Sequence, residues 1–290
     1  MKTRVRFIGA ISAMLVLSIL VAASFTASSR ADNPTVQEVI SKHLDSIGSA
    51  DARAAAKSRL ILGTAVITFR IGGTGQADGR AVLASQGNMS LIGITLDVPE
   101  YPRENLGFDG NTLTVADLKP GVRSTLGKFF MTHEMPFREG LLAGTLSSAW
   151  PLLDLSSRKA SVKFDGMRKI EGRQLYVLRY EPKNDSGLKT KLFFDAETFR
   201  HVRTEYEKRQ VQQMVTQPGV TQQQGDSITK LVEEFSDFKP EAGLTLPHSY
   251  KMQLSIEALN RRVLQDWAFT LSQFAFDKTL DQKQFNVNVK

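Results

Sequence analysis

Cysteine is absent from this chain of 290 residues. Its absence excludes disulfides, thiolate zinc sites, iron–sulfur ligation and a cysteine nucleophile. It also leaves no thiol for the acylation that anchors a bacterial lipoprotein. Histidine is scarce, with four residues, and none belongs to the His-Glu-x-x-His spacing that places two metal ligands on one helix face. We therefore predict no metal ion and no cofactor.

Other catalytic and nucleotide-binding motifs are missing too. No Gly-x-Ser-x-Gly elbow marks a hydrolase serine, and the glycine-rich residues 72–75 lack the Gly-Lys-Ser/Thr of a phosphate cradle. Glu233 and Glu234 adjoin on a predicted strand, so their side chains face opposite sides and do not form a pair. Basic residues around Arg203 alternate with acidic ones, unlike the one-signed stripe of a nucleic-acid groove. We predict no catalytic residue and no nucleic-acid partner.

The N-terminus has the order of a secretory signal peptide. Three basic residues precede an apolar run over residues 7–23, and small residues follow up to Ala31. Cleavage of residues 1–31 would leave 33 basic and 30 acidic residues, a net charge of +3 in place of +7. The alternative is an uncleaved anchor, although about 17 apolar residues are short for a membrane span. We predict an exported, soluble, non-lipidated periplasmic protein.

Most of the mature chain has the period of β-strands. Between Tyr250 and Ile256, hydrophobic residues alternate with polar ones, which is typical of a half-buried strand. Such strands follow one another with hairpin-sized connections and without a βαβ rhythm, which favours a meandering antiparallel sheet. A sheet of about ten strands must curl or close.

Two segments have helical spacing instead. Residues 34–57 begin with Asn33 as a candidate N-cap and Pro34 at the first helical position, and residues 123–153 predict two short helices inserted in the sheet. The helices in these two segments are too few to cover both faces of the sheet. We predict a mainly β single domain over residues 32–290, with a curved antiparallel sheet whose concave face is covered by helices. A glutamine-rich tip at residues 217–225 is predicted to be a mobile loop.

The concave face of such a sheet is apolar, and the helical segment adds phenylalanine and methionine, which repack around irregular chains. This lining either collapses into an ordinary core or leaves a cavity for acyl chains. The candidate ligand-binding residues are Ile67, Phe69, Ile92, Ile94, Phe129, Phe130, Met131, Phe137, Leu192, Phe194, Met252 and Leu254.

Several diffuse motifs occur in a recognisable order. They include Val39-Ile-Ser-Lys-His-Leu-Asp-Ser-Ile-Gly48, Gly107-Phe-Asp-Gly110, Leu192-Phe-Phe-Asp-Ala-Glu-Thr198 and Phe235-Ser-Asp-Phe-Lys-Pro-Glu-Ala-Gly-Leu-Thr-Leu-Pro247. Over residues 36–290 this order resembles the LolA-like superfamily of periplasmic outer-membrane lipoprotein-sorting proteins.

The resemblance implies an incomplete, half-open antiparallel β-barrel with helices as a lid over an apolar cavity. In the founding carrier that cavity holds lipoprotein acyl chains, and a strand arginine ties the lid shut. Arg70 lies in the corresponding region here, but it faces opposite to Phe69. The segment 123–153 and the glutamine-rich tip depart from the compact carrier.

The sequence thus predicts a non-catalytic carrier or binding protein for lipid or lipoprotein acyl chains, with an inner- or outer-membrane protein as a further partner. Each buried methylene contributes about 0.8 kcal/mol. One alternative is an envelope-stress sensor or scaffold that binds a membrane partner protein. Another is a hydrolase, which requires acidic, histidine or serine side chains clustered inside the cavity.

Overall fold

The computed structural model describes residues 33–184, 186–210 and 226–288. The predicted signal peptide and the glutamine-rich tip lie outside these ranges. The chain divides between Asn33 and Pro34, and the following description concerns the second part. No helix within the described ranges is long and apolar enough to span a bilayer.

One antiparallel sheet of twelve strands dominates the fold, two more strands than the period suggested. The strands are β1 (Ser58–Ile71), β2 (Gly75–Gln86), β3 (Met89–Leu96), β4 (Arg103–Phe108), β5 (Leu113–Val115), β6 (Ser161–Ile170), β7 (Arg173–Glu181), β8 (Lys189–Asp195), β9 (His201–Gln210), β10 (Ser227–Glu241), β11 (Leu244–Ala258) and β12 (Arg261–Phe276). Their spatial order is β5-β4-β3-β2-β1-β12-β11-β10-β9-β8-β7-β6. The sheet is curved and does not close, so the predicted half-open barrel is confirmed.

The two edge strands of the sheet, β5 and β6, follow one another in the chain. Strands β1 to β5 run outward from the middle to one edge, and β6 to β12 return from the other edge to pair with β1. The connection between β5 and β6 must therefore cross the sheet from one edge to the other. We call residues 123–158 of this connection the insert.

The helices are short and lie in two places. Helices α1 (Val36–Ile47) and α2 (Ala50–Ala55) precede the sheet, and the insert contains α3 (Thr125–Thr132), α4 (Met135–Arg138), α5 (Leu155–Arg158) and 3₁₀ turns at Gly144–Leu146 and Pro151–Leu153; a last 3₁₀ turn follows β12 at Gln282–Phe285. The two short helices predicted within residues 123–153 correspond to α3 and α4, and α5 follows just beyond that segment.

Alternation along the strands separates the two faces. On β11, Tyr250, Met252 and Leu254 are buried, whereas Lys251 and Gln253 are exposed. The buried set faces the insert and α1. Aromatic rings stack across neighbouring strands there, since the centroid of Tyr250 lies 5.2 Å from Phe235 and 5.0 Å from Phe269. The concave face thus carries the main hydrophobic core.

Helix α1 begins two residues later than predicted, with Thr35 as its N-cap in place of Asn33. The Thr35 hydroxyl accepts the Glu38 N–H at 3.2 Å, and the Glu38 carboxylate accepts the Thr35 N–H at 2.7 Å. This reciprocal pair is a capping box. The residue three positions after Asn33 is Val36, whose side chain cannot accept a hydrogen bond, so Thr35 with Glu38 forms the reciprocal pair and Asn33 does not.

Replacing Thr35 by alanine should lower the free energy of unfolding by about 1 kcal/mol, because one capped N–H loses its acceptor. Urea denaturation followed by circular dichroism measures the change. Thr35→Ser is the matched control, because it keeps the hydroxyl, and it should stay close to wild type. Equal losses in both variants would assign the effect to the methyl group instead of the cap.

Candidate functional site

The twelve residues predicted to line the concave face fall into three groups. Ten are buried in the single main core cluster, and Phe69 is partly buried against it. Met131 was wrongly placed, because its side chain is 47% exposed on the outer side of α3. The buried ten are Ile67, Ile92, Ile94, Phe129, Phe130, Phe137, Leu192, Phe194, Met252 and Leu254.

The insert occupies the hollow of the sheet. Where it lies on β2 and β3, the cavity between them measures about 10 Å³ and is lined by residues such as Leu83, Ile92, Phe137 and Leu146. A cavity of this size holds about one water molecule at most, so it has no room for a chain of many methylenes. In this region the chain's own insert therefore covers the apolar face.

A buried carboxylate holds the centre of the insert. Glu233 on β10 is fully buried on the concave face. It accepts the backbone N–H of Ala143 at 2.8 Å and the hydroxyls of Tyr206 at 2.8 Å and Tyr250 at 2.6 Å. Burial raises the pKa of Glu233 to about 7. A central polar contact between sheet and insert therefore involves a carboxyl group whose pKa lies near neutrality.

A buried arginine holds the same turn from β1. Arg59 is 1% exposed, and its guanidinium donates to the carbonyl oxygen of Thr145. Burial lowers its pKa to about 10. The family resemblance pointed to a strand arginine that ties the lid, but Arg70, the candidate from the sequence, is an exposed residue paired with Asp266 on the opposite face. Arg59 is the arginine that contacts the insert.

The turn that these two residues hold is strained. Ala143 has φ 63° and Gly144 has φ 51°, both in the left-handed region. A Cβ on Gly144 would lie 2.8 Å from His201 Nδ1 and 2.9 Å from Phe235 Cζ. Only glycine fits at this position, because any Cβ would collide with these two side chains. The backbone of the turn therefore lies closer to the concave face than another residue would allow.

A tryptophan–histidine contact ties the end of the insert to α1. Trp150 Nε1 donates to His43 Nε2 at 3.0 Å, so the ring proton of neutral His43 lies on Nδ1, which donates to the Phe199 carbonyl oxygen at 3.1 Å. Burial lowers the pKa of His43 to about 3. The ring of His201 packs at a tilt of 31° against Trp150, with centroids 4.5 Å apart. Burial also holds the pKa of His201 well below its usual range.

A second buried carboxylate fixes the start of the insert. Glu104 on β4 accepts the Ser124 hydroxyl at 2.6 Å and the Tyr101 hydroxyl. Ser124 is in turn the N-cap of α3 and accepts the Gly127 N–H at 2.7 Å. Burial raises the pKa of Glu104 to about 7. The two carboxyl groups therefore hold the insert at separate points and titrate in the same range.

The polar interior was not expected from the sequence, although a signal for it exists. Glu233 and Glu234 do face opposite sides, as predicted: Glu234 pairs with Arg203 on the outer face. Yet Glu233 occupies the inward position between Leu231 and Phe235 in the alternation. A carboxylate at a core position needs hydrogen-bond partners, and that requirement could have identified Glu233 as a residue that makes polar contacts in the interior.

No protein-family model matches the chain, and no curated protein is similar to it. Several solved structures are similar over most of this chain. A LolA superfamily protein from Nitrosomonas europaea has 16% identity and a TM-score of 0.47, covering 88% of this chain and 98% of that one. A DUF1329 family protein from Desulfovibrio piger has 11% identity and a TM-score of 0.45 over 88% and 98% of the two chains.

The third structure is a putative outer membrane lipoprotein-sorting protein domain from Vibrio parahaemolyticus, with 13% identity and a TM-score of 0.40 over 86% of this chain and 98% of that one. At these identities and TM-scores, similarity says nothing about ligands, and the architecture rests on the sheet itself.

The Glu233→Gln variant should change how stability depends on pH. The folded-state pKa of about 7 lies above the ordinary value of 4.5, so Glu233 contributes stability that is complete below pH 4.5 and is lost as the pH rises through 7. The free energy of unfolding of wild type minus variant should therefore fall between pH 4.5 and 7, by roughly 3 kcal/mol, and be flat above pH 8.

The difference curve is needed because the buried histidines act in the opposite direction. The depressed pKa values of His43 and His201 add stability that is present above pH 6.5 and lost on acidification. In wild type the two effects oppose each other between pH 4.5 and 6.5. Glu234→Gln is the matched control, because it removes the neighbouring carboxylate on the outer face without touching the insert. A flat difference curve for Glu233→Gln would contradict the raised pKa.

Proposed function

We propose that the protein is a non-catalytic periplasmic carrier or binding protein for lipid or lipoprotein acyl chains, and that the insert is the lid which occupies the acyl site in the closed form. The observation that carries the proposal is the way the concave face is covered. A continuous apolar face, formed by strands from β1 to β12, is closed by irregular chain that crosses it and is tied to it by separate polar contacts. Displacing this cover would leave the apolar face for a ligand.

The attachments of the insert to the rest of the fold are a small number of separate hydrogen bonds. They pair six residues of the insert with five residues of the sheet and one of α1: Ser124 with Glu104, Glu139 with Tyr180, Ala143 with Glu233, Thr145 with Arg59, Ser148 with Ser85, and Trp150 with His43. Within the described ranges, the buried Thr145 Oγ1 and Arg59 Nε have no hydrogen-bond partner. A buried polar atom without a partner costs about 1–3 kcal/mol, so hydration on opening would offset part of the cost of displacing the insert.

An acyl chain can replace the insert energetically. A dozen buried methylenes give roughly 10 kcal/mol before the costs of association are subtracted. The same concave residues that now pack on the insert, such as Ile94, Phe194, Met252 and Leu254, would then contact the ligand. Met131 does not belong to this set, because it faces outward.

Binding is favoured over hydrolysis by the pairing of the interior polar groups. His201 Nε2 lies 2.9 Å from the Thr204 hydroxyl, whereas the carboxyl groups of Glu233 and Glu104 bind tyrosine hydroxyls and the insert. His201 Nδ1 has no hydrogen-bond partner among the described residues, and His248, whose Nε2 lies 3.0 Å from Glu241 Oε1, is not hydrogen-bonded to a described hydroxyl. The Thr204–His201 pair therefore lacks the orienting acid of a hydrolase triad.

The absence of native cysteine permits a direct test with one engineered disulfide. Ser85 Oγ on β2 accepts the backbone N–H of Ser148 at 2.9 Å, so Ser85→Cys/Ser148→Cys can lock the insert to the sheet. With a fluorescent 16-carbon fatty acid and delipidated protein, the oxidised variant should bind at least about tenfold more slowly or weakly than the reduced one. Loss of access to a closed site is the physical reason.

The two single variants, under oxidising conditions, are the matched controls and should bind as wild type does. Equal binding by oxidised and reduced double variant would show that the insert is not a lid. Failure of every form to bind, wild type included, would overturn the carrier proposal itself.

A further inference from the structure

A cleft opens at one end of the concave face, beside α3. It has a volume of about 230 Å³, equal to about eight water molecules at ~30 Å³ each. Its walls are α3 on one side and the ends of β9 to β12 on the other. The lining residues used below are Lys128, Phe129, His133, Lys208, Ile256 and Arg261.

The cleft is positively charged. Lys128, Lys208 and Arg261 line it, and none of them forms an ion pair with another described residue. No lining residue is acidic. Burial lowers the pKa of His133, and the positive charge of Lys208 lowers it further. The electrostatic field of this lysine therefore reaches across the cleft to α3.

The neighbouring acidic residues do not neutralise these cations. Glu207 and Glu257 precede and follow lining residues on β9 and β11, so they lie on the outer face of the sheet. Glu207 is already paired with Arg209 at 2.6 Å. The alternation along the strands thus places the cations in the cleft on the concave side and the carboxylates on the outer face of the sheet.

The inner wall of the cleft is apolar and leads to the main core. Phe129 is 5% exposed and belongs to the core cluster, and Ile256 packs against the same cluster. Along β11 from Ile256 towards the interior, the next inward-facing residues are Leu254 and Met252, and both are apolar. A ligand in the cleft would therefore meet cations at its outer end and hydrocarbon at its inner end.

We propose that this cleft receives the anionic, phosphate-bearing headgroup of the lipid whose acyl chains enter the concave face. The inference rests on the proposed carrier function and adds the class of ligand: an amphiphile with a negatively charged head, held by Lys128, Lys208 and Arg261. Charge-assisted contacts of ammonium and guanidinium groups to phosphate supply the selectivity.

The test compares two lipids that differ only in the head. The purified protein is titrated calorimetrically with dihexanoyl phosphatidic acid and with dihexanoyl phosphatidylcholine, both as monomers. The phosphatidic acid should bind at least about tenfold more tightly, because three cations face an unmasked phosphate, and the margin should shrink as salt is added.

The variant Lys128→Gln/Lys208→Gln/Arg261→Gln should remove this margin and leave phosphatidylcholine binding within about threefold of wild type. The matched control is Lys57→Gln/Lys169→Gln/Lys251→Gln, which loses the same charge at exposed positions away from the cleft and should keep the margin. Lys208→Gln and Arg261→Gln alone, each expected to reduce the margin about threefold, decide the question if the triple variant does not fold.

Equal affinity for the two lipids in wild type would overturn the headgroup site and leave the carrier function standing. Inorganic phosphate that binds as tightly as phosphatidic acid would overturn it too, because the cleft would then be a site for free anions. Binding of neither lipid would count against the carrier function, which separates that failure from the failure of the headgroup site.

Discussion

The connection between the two edges of the sheet is the constraint on which the other features depend. Because β5 and β6 are the opposite edge strands, the chain between them has to cross the sheet, and it crosses on the concave, apolar side. A segment in that position cannot be mainly polar, since it replaces water against a hydrophobic face. It also cannot be wholly apolar, because its irregular backbone exposes N–H and C=O groups that need partners in a dry interior.

The sheet supplies those partners from a small number of buried polar residues. Glu233 and Arg59 hold the backbone on either side of Gly144, and Glu104 holds the cap of α3. Burying a carboxylate is costly, and the raised pKa values of both glutamates express that cost. The arrangement therefore specifies where the insert lies more than it stabilises the fold. Polar contacts of this kind suit a cover that has one closed position and can leave it.

Sequence periodicity predicted the parts that depend on local spacing. The alternation in β11, the helical stripe of α1 and the helical segment within the insert were all readable, because burial on one face repeats every two or about 3.6 residues. The resemblance to LolA-like proteins added the half-open barrel. The N-cap was misplaced by two residues, since Asn33 and Thr35 are both good caps and the reciprocal contact with Glu38 decides between them.

The contacts of the site could not be predicted in this way. Glu233 and Ala143 are 90 residues apart, and Arg59 and Thr145 are 86 apart. Periodicity says that Glu233 faces inward but not which backbone group meets it. For the same reason the sequence did not point to Arg59 as the arginine that contacts the insert, and the filled hollow was not distinguishable from an open one. The cationic cleft likewise needs the register of β9 to β12 beside α3, which no single segment contains.

Movement of the insert on ligand binding is the central claim, and a distance measurement tests it most directly. Spin labels attached through Met131→Cys on α3 and Lys251→Cys on the outer face of β11 report the separation of insert and sheet by pulsed electron paramagnetic resonance. Saturation with a 16-carbon fatty acid should shift the distance distribution outward by several ångströms or broaden it. An unchanged distribution, with the fatty acid shown to be bound, would contradict the account.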